Sequence, residues 1–544
     1  MSGPWGAGGK VSRLLRQKKA FGSAVALLSA VGLLGVVGGG LPNASAAAAQ
    51  PKSGGTLTVL ETAGGIGDWP QGLTPWNNSL SAEDEPMEDA VYGQLFTESP
   101  TGQVQPDLAT GYKFLNGGKT VELFLRHGVK FSDGTPFNAQ AVAWNIQQDL
   151  NPANACICDT SFPVAKPLAS NIVAQGKYTV VMHLSQPFYP ILTAFSQISS
   201  PDWIASPTAY KKMGAKAFAL KPVGAGPFEV VSDNLNTQLT LKKNPNYWQK
   251  GHPYLNQLIF KTVGSAEAGY EALQAGQGQV EQQLTQVSVV QAAQQNQNVR
   301  VVASPGVGTY SLQLNTKTAP FNNIKAREAI YYAIDESALN KVVAGGLGSV
   351  SETGDGPASL YPLTKVPGYR TYNPAKAKAL VNQIGGLNFT IIGTAQFQTL
   401  EEALVSEFEN AGMHVTITTD TLEQEVNAFM HNSWAAVPGG AGGLDPELGA
   451  GGLAWRVQST GPFTGIDNTY LNTLVNQGTA ESSHTARTAT YTKLYKYLSD
   501  NALMPFTVSE PLWNVVNPAA MGPGLSKPMA NNYLIQWPDV WLNK

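Results

Sequence analysis

The chain has 544 residues, 43% hydrophobic and only 13% charged, with 35 basic against 38 acidic side chains and a formal net charge of −3. That length exceeds what one hydrophobic core organises, so two or more lobes are expected. No basic block of the kind that binds nucleic acid is present, and the 56 glycines and 35 prolines are spread along the chain, as for many turns between short strands.

Lys10, Arg13, Arg16, Lys18 and Lys19 precede the largely apolar stretch 20–37, and Ala44-Ser45-Ala46 offers a small-x-small cleavage pattern, with further small residues to Ala49. The pattern fits a cleaved export signal or an uncleaved anchor, since about 18 mostly apolar residues nearly span a bilayer. The Gly-rich end and the Ala tract favour cleavage. No cysteine precedes Cys156, so no lipid-bearing cysteine is expected, and the expected location is periplasmic, extracellular or cell-surface. No later segment has the uninterrupted apolar length of a span. Residues 1–49 are therefore set aside as signal peptide and tether.

Gly55 to Leu60 alternates polar and apolar and predicts the first strand. A loop with Gly64, Gly65, Gly67 and Asp68-Trp69 follows, and Glu83 to Phe96 is helical in pattern. Thr120 to Arg126 places Val121, Leu123 and Leu125 on one strand face, after the hairpin-turn residues Asn116-Gly117-Gly118. Asn138 is placed to cap a helix whose stripe is Val142, Ile146 and Leu150. Cys156 and Cys158 form a lone C-x-C; a local disulfide or idle thiols are favoured over a soft-metal pair, because no second Cys or His pair lies nearby. Tyr178 to Leu184 predicts a strand and Ala266 to Ala275 a helix. Val299 to Leu314 holds two strands broken at Pro305-Gly306. One long helix is predicted over Ile324 to Val343, with Ala326, Ala329, Ile330, Ala333 and Ile334 buried. Strands Phe389 to Ile392 and Val415 to Thr418 flank a helix over Leu400 to Asn410, preceded by a helix Ala375 to Gln383, in βαβ-like alternation. Arg487 to Leu498 is a last long helix.

Catalytic and metal motifs are scarce. Gly117-Gly118-Lys119-Thr120 mimics the end of a P-loop, but Lys113 stands where the motif needs its first glycine and a strand follows where a helix should. None of the six histidines forms HExxH, and no GxSxG occurs. His127 and His183, on predicted strands, read as structural. The carboxylate runs Glu83-Asp84-Glu85 and Glu401-Glu402 read as solvated faces. No cofactor, metal or enzymatic activity is expected.

The block from Pro106 to Asn145, PDLATGYKFLNGGKTVELFLRHGVKFSDGTPFNAQAVAWN, resembles the signature of extracytoplasmic solute-binding proteins of the dipeptide/oligopeptide/nickel class (family 5), which serve ABC importers. Further resemblances follow in order: KPVGAGPFEVV…LTLKKNPNYW (221–248), LQLNTKTAPFNNIKAREAIYYAIDESAL (312–339) and YNPAKAKAL (372–380). The resemblance implies an α/β, two-lobed periplasmic-binding-protein-like fold with an extra subdomain in the first lobe. Residues 50–315 would form lobe I, with the subdomain at roughly 90–225; 316–503 lobe II; and 504–544 a return to lobe I. The chain would cross between lobes near Tyr310–Asn315 and Met504–Val508. It also implies a monomeric receptor that closes on a small ligand, whether peptide, oligosaccharide or metal chelate, and hands it to an ABC permease. A secreted hydrolase or a sensing or chaperone protein on the same fold is the alternative.

Many peptide-binding relatives carry a W-x-x-D…DP loop whose first Asp pairs with the peptide amino terminus. Here Trp434 and Asp445-Pro446 remain and that Asp is missing. Some relatives also carry a carboxylate-holding Arg after the strand equivalent to Phe389–Ile392; the loop here, Gly393 to Gln398, has none. A buried ligand charge needs a partner, so a neutral or differently charged ligand is expected. The candidate cleft residues are Trp69, Gln398, Trp434, Asp445, Trp455 and Arg456, aromatic faces and polar groups that suit sugars, short peptides or chelates; ordinary core packing is the competing role for each Trp. Trp248 reads as structural.

Overall fold

The computed structural model describes residues 50–62, 69, 72–77, 85–154, 171–196, 203–394, 397–448, 452–461, 463–509, 511–530 and 535–543. The expected signal segment, the Gly64–Asp68 loop, Glu83, Asp84, Cys156 and Cys158 lie outside the described residues.

Strand β1 (Thr56–Thr62) opens the described chain, followed by a helix, Glu85–Tyr92, and a short ribbon of β2 (Phe96–Glu98) and β3 (Val104–Pro106). Strands β4 (Ala109–Leu115), β5 (Thr120–Leu125), β6 (Ile172–Gln175) and β7 (Thr179–His183) make an antiparallel sheet in the order β4-β5-β7-β6. The turn into β5 is the glycine turn: Gly117 and Gly118 have φ of 64° and 88°, conformations a side chain resists. The helix Ala139–Asp149 covers this sheet. Asn138 caps it by accepting from the Ala141 N–H at 3.0 Å, and Val142 and Ile146 join Val121 and Leu123 in one buried cluster. Capping and the i, i+4 stripe together fix where the helix starts and which face it buries.

The chain continues through β8 (Phe228–Asn234), β9 (Gln238–Lys243), β10 (Gln257–Val263), β11 (Val280–Leu284) and β12 (Arg300–Ser304), then β13 (Gly308–Leu314), β14 (Asn388–Gly393), β15 (His414–Thr419), β16 (Ala436–Gly442), β17 (Phe506–Ser509) and β18 (Leu512–Val516), and ends with the pair β19 (Ala520–Met521) and β20 (Trp541–Leu542). Two sheets result, a seven-stranded one in the order β12-β18-β11-β1-β10-β9-β8 and a five-stranded one in the order β15-β14-β16-β13-β17. Leu57, Val59, Leu258 and Phe260 pack one face of the larger sheet, and Leu60, Leu284, Trp513 and Val515 pack the other under the helices Ala266–Gln274 and Val287–Gln294. Leu312, Leu314, Ile391 and Ala436 form the core of the smaller sheet with the helices Ile324–Ala333, Pro374–Gln383 and Gln398–Asn410. β14, the last of these helices and β15 form a parallel unit, the expected βαβ. No described helix is long and apolar enough to cross a membrane.

The chain passes between the two sheets twice, from Ser304 to Gly308 and from Ser509 to Leu512. Most of Tyr310–Asn315 thus lies inside β13. The long helix expected over Ile324–Val343 is two: Ile334 turns to ψ 120°, and Asp335 then caps Glu336–Val343 by accepting from Ser337 and Ala338 at 3.1 and 3.0 Å. Asp, Glu and Ser in succession favour a new N-terminus over continuation.

Asp89, in the middle of the first helix, is buried and accepts from Trp203 Nε1 at 2.7 Å and Gln94 Nε2 at 3.0 Å. Burial outweighs these bonds and raises its carboxyl from 3.8 to about 7. Because the folded state holds the proton more tightly than the unfolded one, this stability is complete below about pH 4 and is lost as the pH climbs through 7. Asp89→Asn, which keeps the acceptor oxygen, should flatten the fall in stability between pH 5.5 and pH 8.5 seen by urea denaturation; an unchanged slope would show that Asp89 is not the group responsible.

Candidate ligand-binding site

A cleft of about 380 Å³ lies where the two sheets face each other. Thr285, Gln286, Val287 and Ser288, after β11, line one wall. Tyr310 of β13, Val342, Val343, Phe397, Thr399 and Leu400 line the other. None of these side chains carries a charge. Tyr310 and Phe397 meet edge to face at 6.1 Å, and below them Gly345 packs against Val287. Beside the cleft, Gln283 sits at φ 57° in a β-bulge of β11, 4% exposed, and neither atom of its amide has a hydrogen-bond partner among the described residues. A strained, unsatisfied, buried polar residue of this kind points to a functional position.

The loop after β14 is held from beneath. Glu401 Oε1 accepts from the Thr394 N–H at 2.9 Å, and a Cβ on Gly393 would lie 2.2 Å from Glu401 Oε2. Glu401 is 2% exposed, so it is not the solvated carboxylate expected from the Glu401-Glu402 pair. Gln398 points to solvent on the first turn of its helix and donates to Glu402 at 2.9 Å. No arginine is present in this loop.

The other expected ion-pairing position is also without a carboxylate. Val437, three residues after Trp434, pairs with Gln313 inside the small sheet and belongs to an apolar cluster. Gly442, three residues before Asp445, has φ 76°, and a Cβ there would lie 2.0 Å from Gly354 O. That position has room for no side chain.

Asp445 is engaged elsewhere. It is 1% exposed and forms an ion pair with Arg487 at 2.8 Å. Arg487 also donates to Tyr361 and Tyr491, both at 2.6 Å, and to Gly478 O at 3.1 Å. Burial alone would lower the guanidinium, but Asp445 and the two tyrosines raise it overall, so it stays charged. Around the pair, burial pushes Glu447 and Asp355 well above the usual carboxylate range. The Asp445 charge adds to both, and Tyr495 donates to Asp355 at 3.0 Å. Both carboxyls therefore hold their protons more tightly than exposed ones do.

Trp434, Trp455 and Arg456 gather around Phe463. Trp434 meets Phe429 at 4.8 Å, Phe429 meets Phe463 at 5.2 Å, Trp455 meets Phe463 at 5.1 Å, and Arg456 lies over the Phe463 ring at 5.5 Å. Trp434 also borders an open groove with Phe389, Thr390, Thr418 and Asn427. Trp69 lies apart, 1% exposed in the core of the large sheet, with Nε1 donating to Asp233 at 2.7 Å. None of the six expected residues lines the 380 Å³ cleft. The residues that do were missed, because Tyr310 and Phe397 are far apart in sequence and carry no motif. Trp248, expected to be structural, has Arg126 stacked 3.7 Å over its ring. His127 stacks on Tyr178 at 4.0 Å and His183 meets Thr120 at 3.3 Å.

Residues 103–452 match the family described as bacterial extracellular solute-binding proteins, family 5 middle. The glutathione-binding protein GsiB of Escherichia coli O157:H7 is 30% identical over 333 residues, 60% of this chain and 62% of that protein, a little under two thirds of the relative's length. Among solved structures, the periplasmic binding protein DppA of Helicobacter pylori in complex with the peptide STSA superposes with a TM-score of 0.75 at 21% identity, covering 91% of this chain and 99% of that one. NikA of Brucella suis in complex with Fe(III)-EDTA gives 0.72 at 19% identity, over 89% and 100%. The fold is therefore the two-lobed, mixed α/β arrangement that the resemblance implied.

Asp445→Ala leaves the Arg487 charge buried without its partner and should lower stability by roughly 3–5 kcal/mol, read by urea denaturation. Asp445→Leu combined with Arg487→Met should recover most of that loss. A full loss in the double variant would show that the pair is not a self-contained structural unit.

Proposed function

The chain belongs to the bacterial extracellular solute-binding proteins of family 5, and on that premise we propose that it is the extracytoplasmic receptor of an ABC importer, delivering a small polar solute of low net charge to the permease. The observation that carries this reading is the cleft between the sheets, bordered from both sides by neutral side chains, together with the lack of an ion-pairing residue at each terminus-binding position. Hydroxyl and amide groups beside an aromatic pair suit a neutral oligosaccharide or a peptide whose termini are blocked or internal. Related proteins bear names that refer to glutathione, peptides and chelated iron, and a charged ligand of those kinds would lose its hydration in this cleft without a partner.

Binding is by lobe closure. The hinge lies at Pro305–Val307 and at the step from Ser509 to Leu512, where the chain changes sheets. A ligand that touches Thr285–Ser288 and Phe397–Leu400 together favours the closed arrangement by that double contact, and the closed shape is what a permease reads. The protein acts without catalysis and as a monomer.

Calorimetry should rank ligands by charge. Free dipeptides and glutathione should bind at least about a hundredfold more weakly than blocked dipeptides or neutral oligosaccharides of similar size. Submicromolar binding of a free dipeptide would overturn the neutral-ligand reading. Phe397→Ala should weaken the best ligand by about tenfold or more, and small-angle scattering at saturation should show a smaller radius of gyration than the empty protein; an unchanged curve would count against closure.

A further inference from the structure

We propose that the turn carrying Asp445-Pro446 is the latch that holds the two lobes together, seating Leu444 and Leu448 of lobe II against the first lobe; this rests on the closure reading above. The turn follows β16 of the small sheet, yet its two leucines are buried in material from the other lobe. Leu448 is 2% exposed and belongs to the apolar core of the inserted subdomain, with Phe96, Phe188 and Phe195. Leu444, fully buried, packs on Gly102 in the turn between β2 and β3. Its Cδ1 lies 2.8 Å from where a Gly102 Cβ would be, and Ala530 lies 3.5 Å from the same point. Gly102, at φ 77°, leaves the space that Leu444 fills. A third contact flanks these, the Tyr189 N–H of the subdomain donating to Thr479 O of lobe II at 2.9 Å.

The turn is stiffened from its own side. Asp445 is pinned to Arg487, and Leu444 O accepts from the Leu360 N–H at 2.8 Å. The Asp-Pro pair thus aims two apolar side chains outward from lobe II, where ordinary packing would turn them in. Opening the lobes bares both. Returning one buried leucine to water shifts an equilibrium by about tenfold to a hundredfold, so the latch sets how far the empty protein rests in the closed form. Neither leucine lines the cleft of Tyr310 and Phe397, so the latch tunes affinity without choosing the ligand.

The test uses the full chain with Cys156→Ser and Cys158→Ser, and nitroxide labels on Lys113→Cys of the subdomain and Lys493→Cys of lobe II, both exposed. Pulsed dipolar spectroscopy should give a longer label distance in Leu448→Asp than in the parent and a mixture of long and short in Leu448→Ala. The milder variant carries the test should the aspartate impair folding, which thermal unfolding reports. Identical distance distributions in parent and variants would overturn the latch. Should the parent shorten with a neutral oligosaccharide or blocked dipeptide while the variants match it in every state, the latch falls and the receptor reading stands. Should the variants lengthen the distance while no solute of the panel moves the parent, the latch stands and the receptor reading falls.

Discussion

The first crossing between the sheets is packed backbone against backbone, with no side chains between. A Cβ on Gly442 would meet Gly354 O at 2.0 Å, one on Gly356 would meet Gly306 O at 2.3 Å, and one on Gly308 would meet Ala441 O at 2.5 Å. These glycines stack the first crossing, the end of β16 and the turn at 354–356 into one layer. Alanine at any of them forces the layer apart, because the obstructing atoms are carbonyl oxygens and not side chains that can swing away. The same closeness leaves position 442 no room for a side chain.

Around this layer the protein uses its few charges as internal braces. Arg487 gathers Tyr491 and the Gly478 carbonyl from nearby in sequence and Asp445 and Tyr361 from farther away. Glu447 and Asp355 sit close by, and burial, with the Asp445 charge added, raises both carboxyls well above the usual carboxylate range. Replacing such a buried pair with apolar residues of similar size is often tolerated, so its value lies in fixing where the 444–448 turn points.

Local patterns were legible in the residues, and partnerships between distant segments were not. Alternation marked β5, a capping Asn with an i, i+4 stripe marked the helix Ala139–Asp149, and Pro305-Gly306 marked the break between β12 and β13. The pattern from Ile324 to Val343 read as one helix because apolar periodicity carries through Ile334, whereas the cap at Asp335 resets the chain. The candidate site fared worse for a physical reason. Tryptophans are large enough to serve either as a ligand platform or as core, and only the surrounding packing decides; Trp69 is core. Residues such as Tyr310, Phe397 and Gln283 gain meaning from juxtaposition and from a left-handed φ, neither of which a residue type announces. The missing arginine and aspartate were visible as absences in the sequence.

The order of strands in the large sheet sets a condition on assembly. β18, from the last tenth of the chain, lies between β11 and β12 and pairs with both. Until residues 512–516 have been made, β12 has no neighbour and β11 has an open edge, although everything from β1 to β11 has already been synthesised. The first lobe therefore closes last, after the whole of the second has emerged. A chain built this way keeps its larger sheet open until the last tenth of its length has been made.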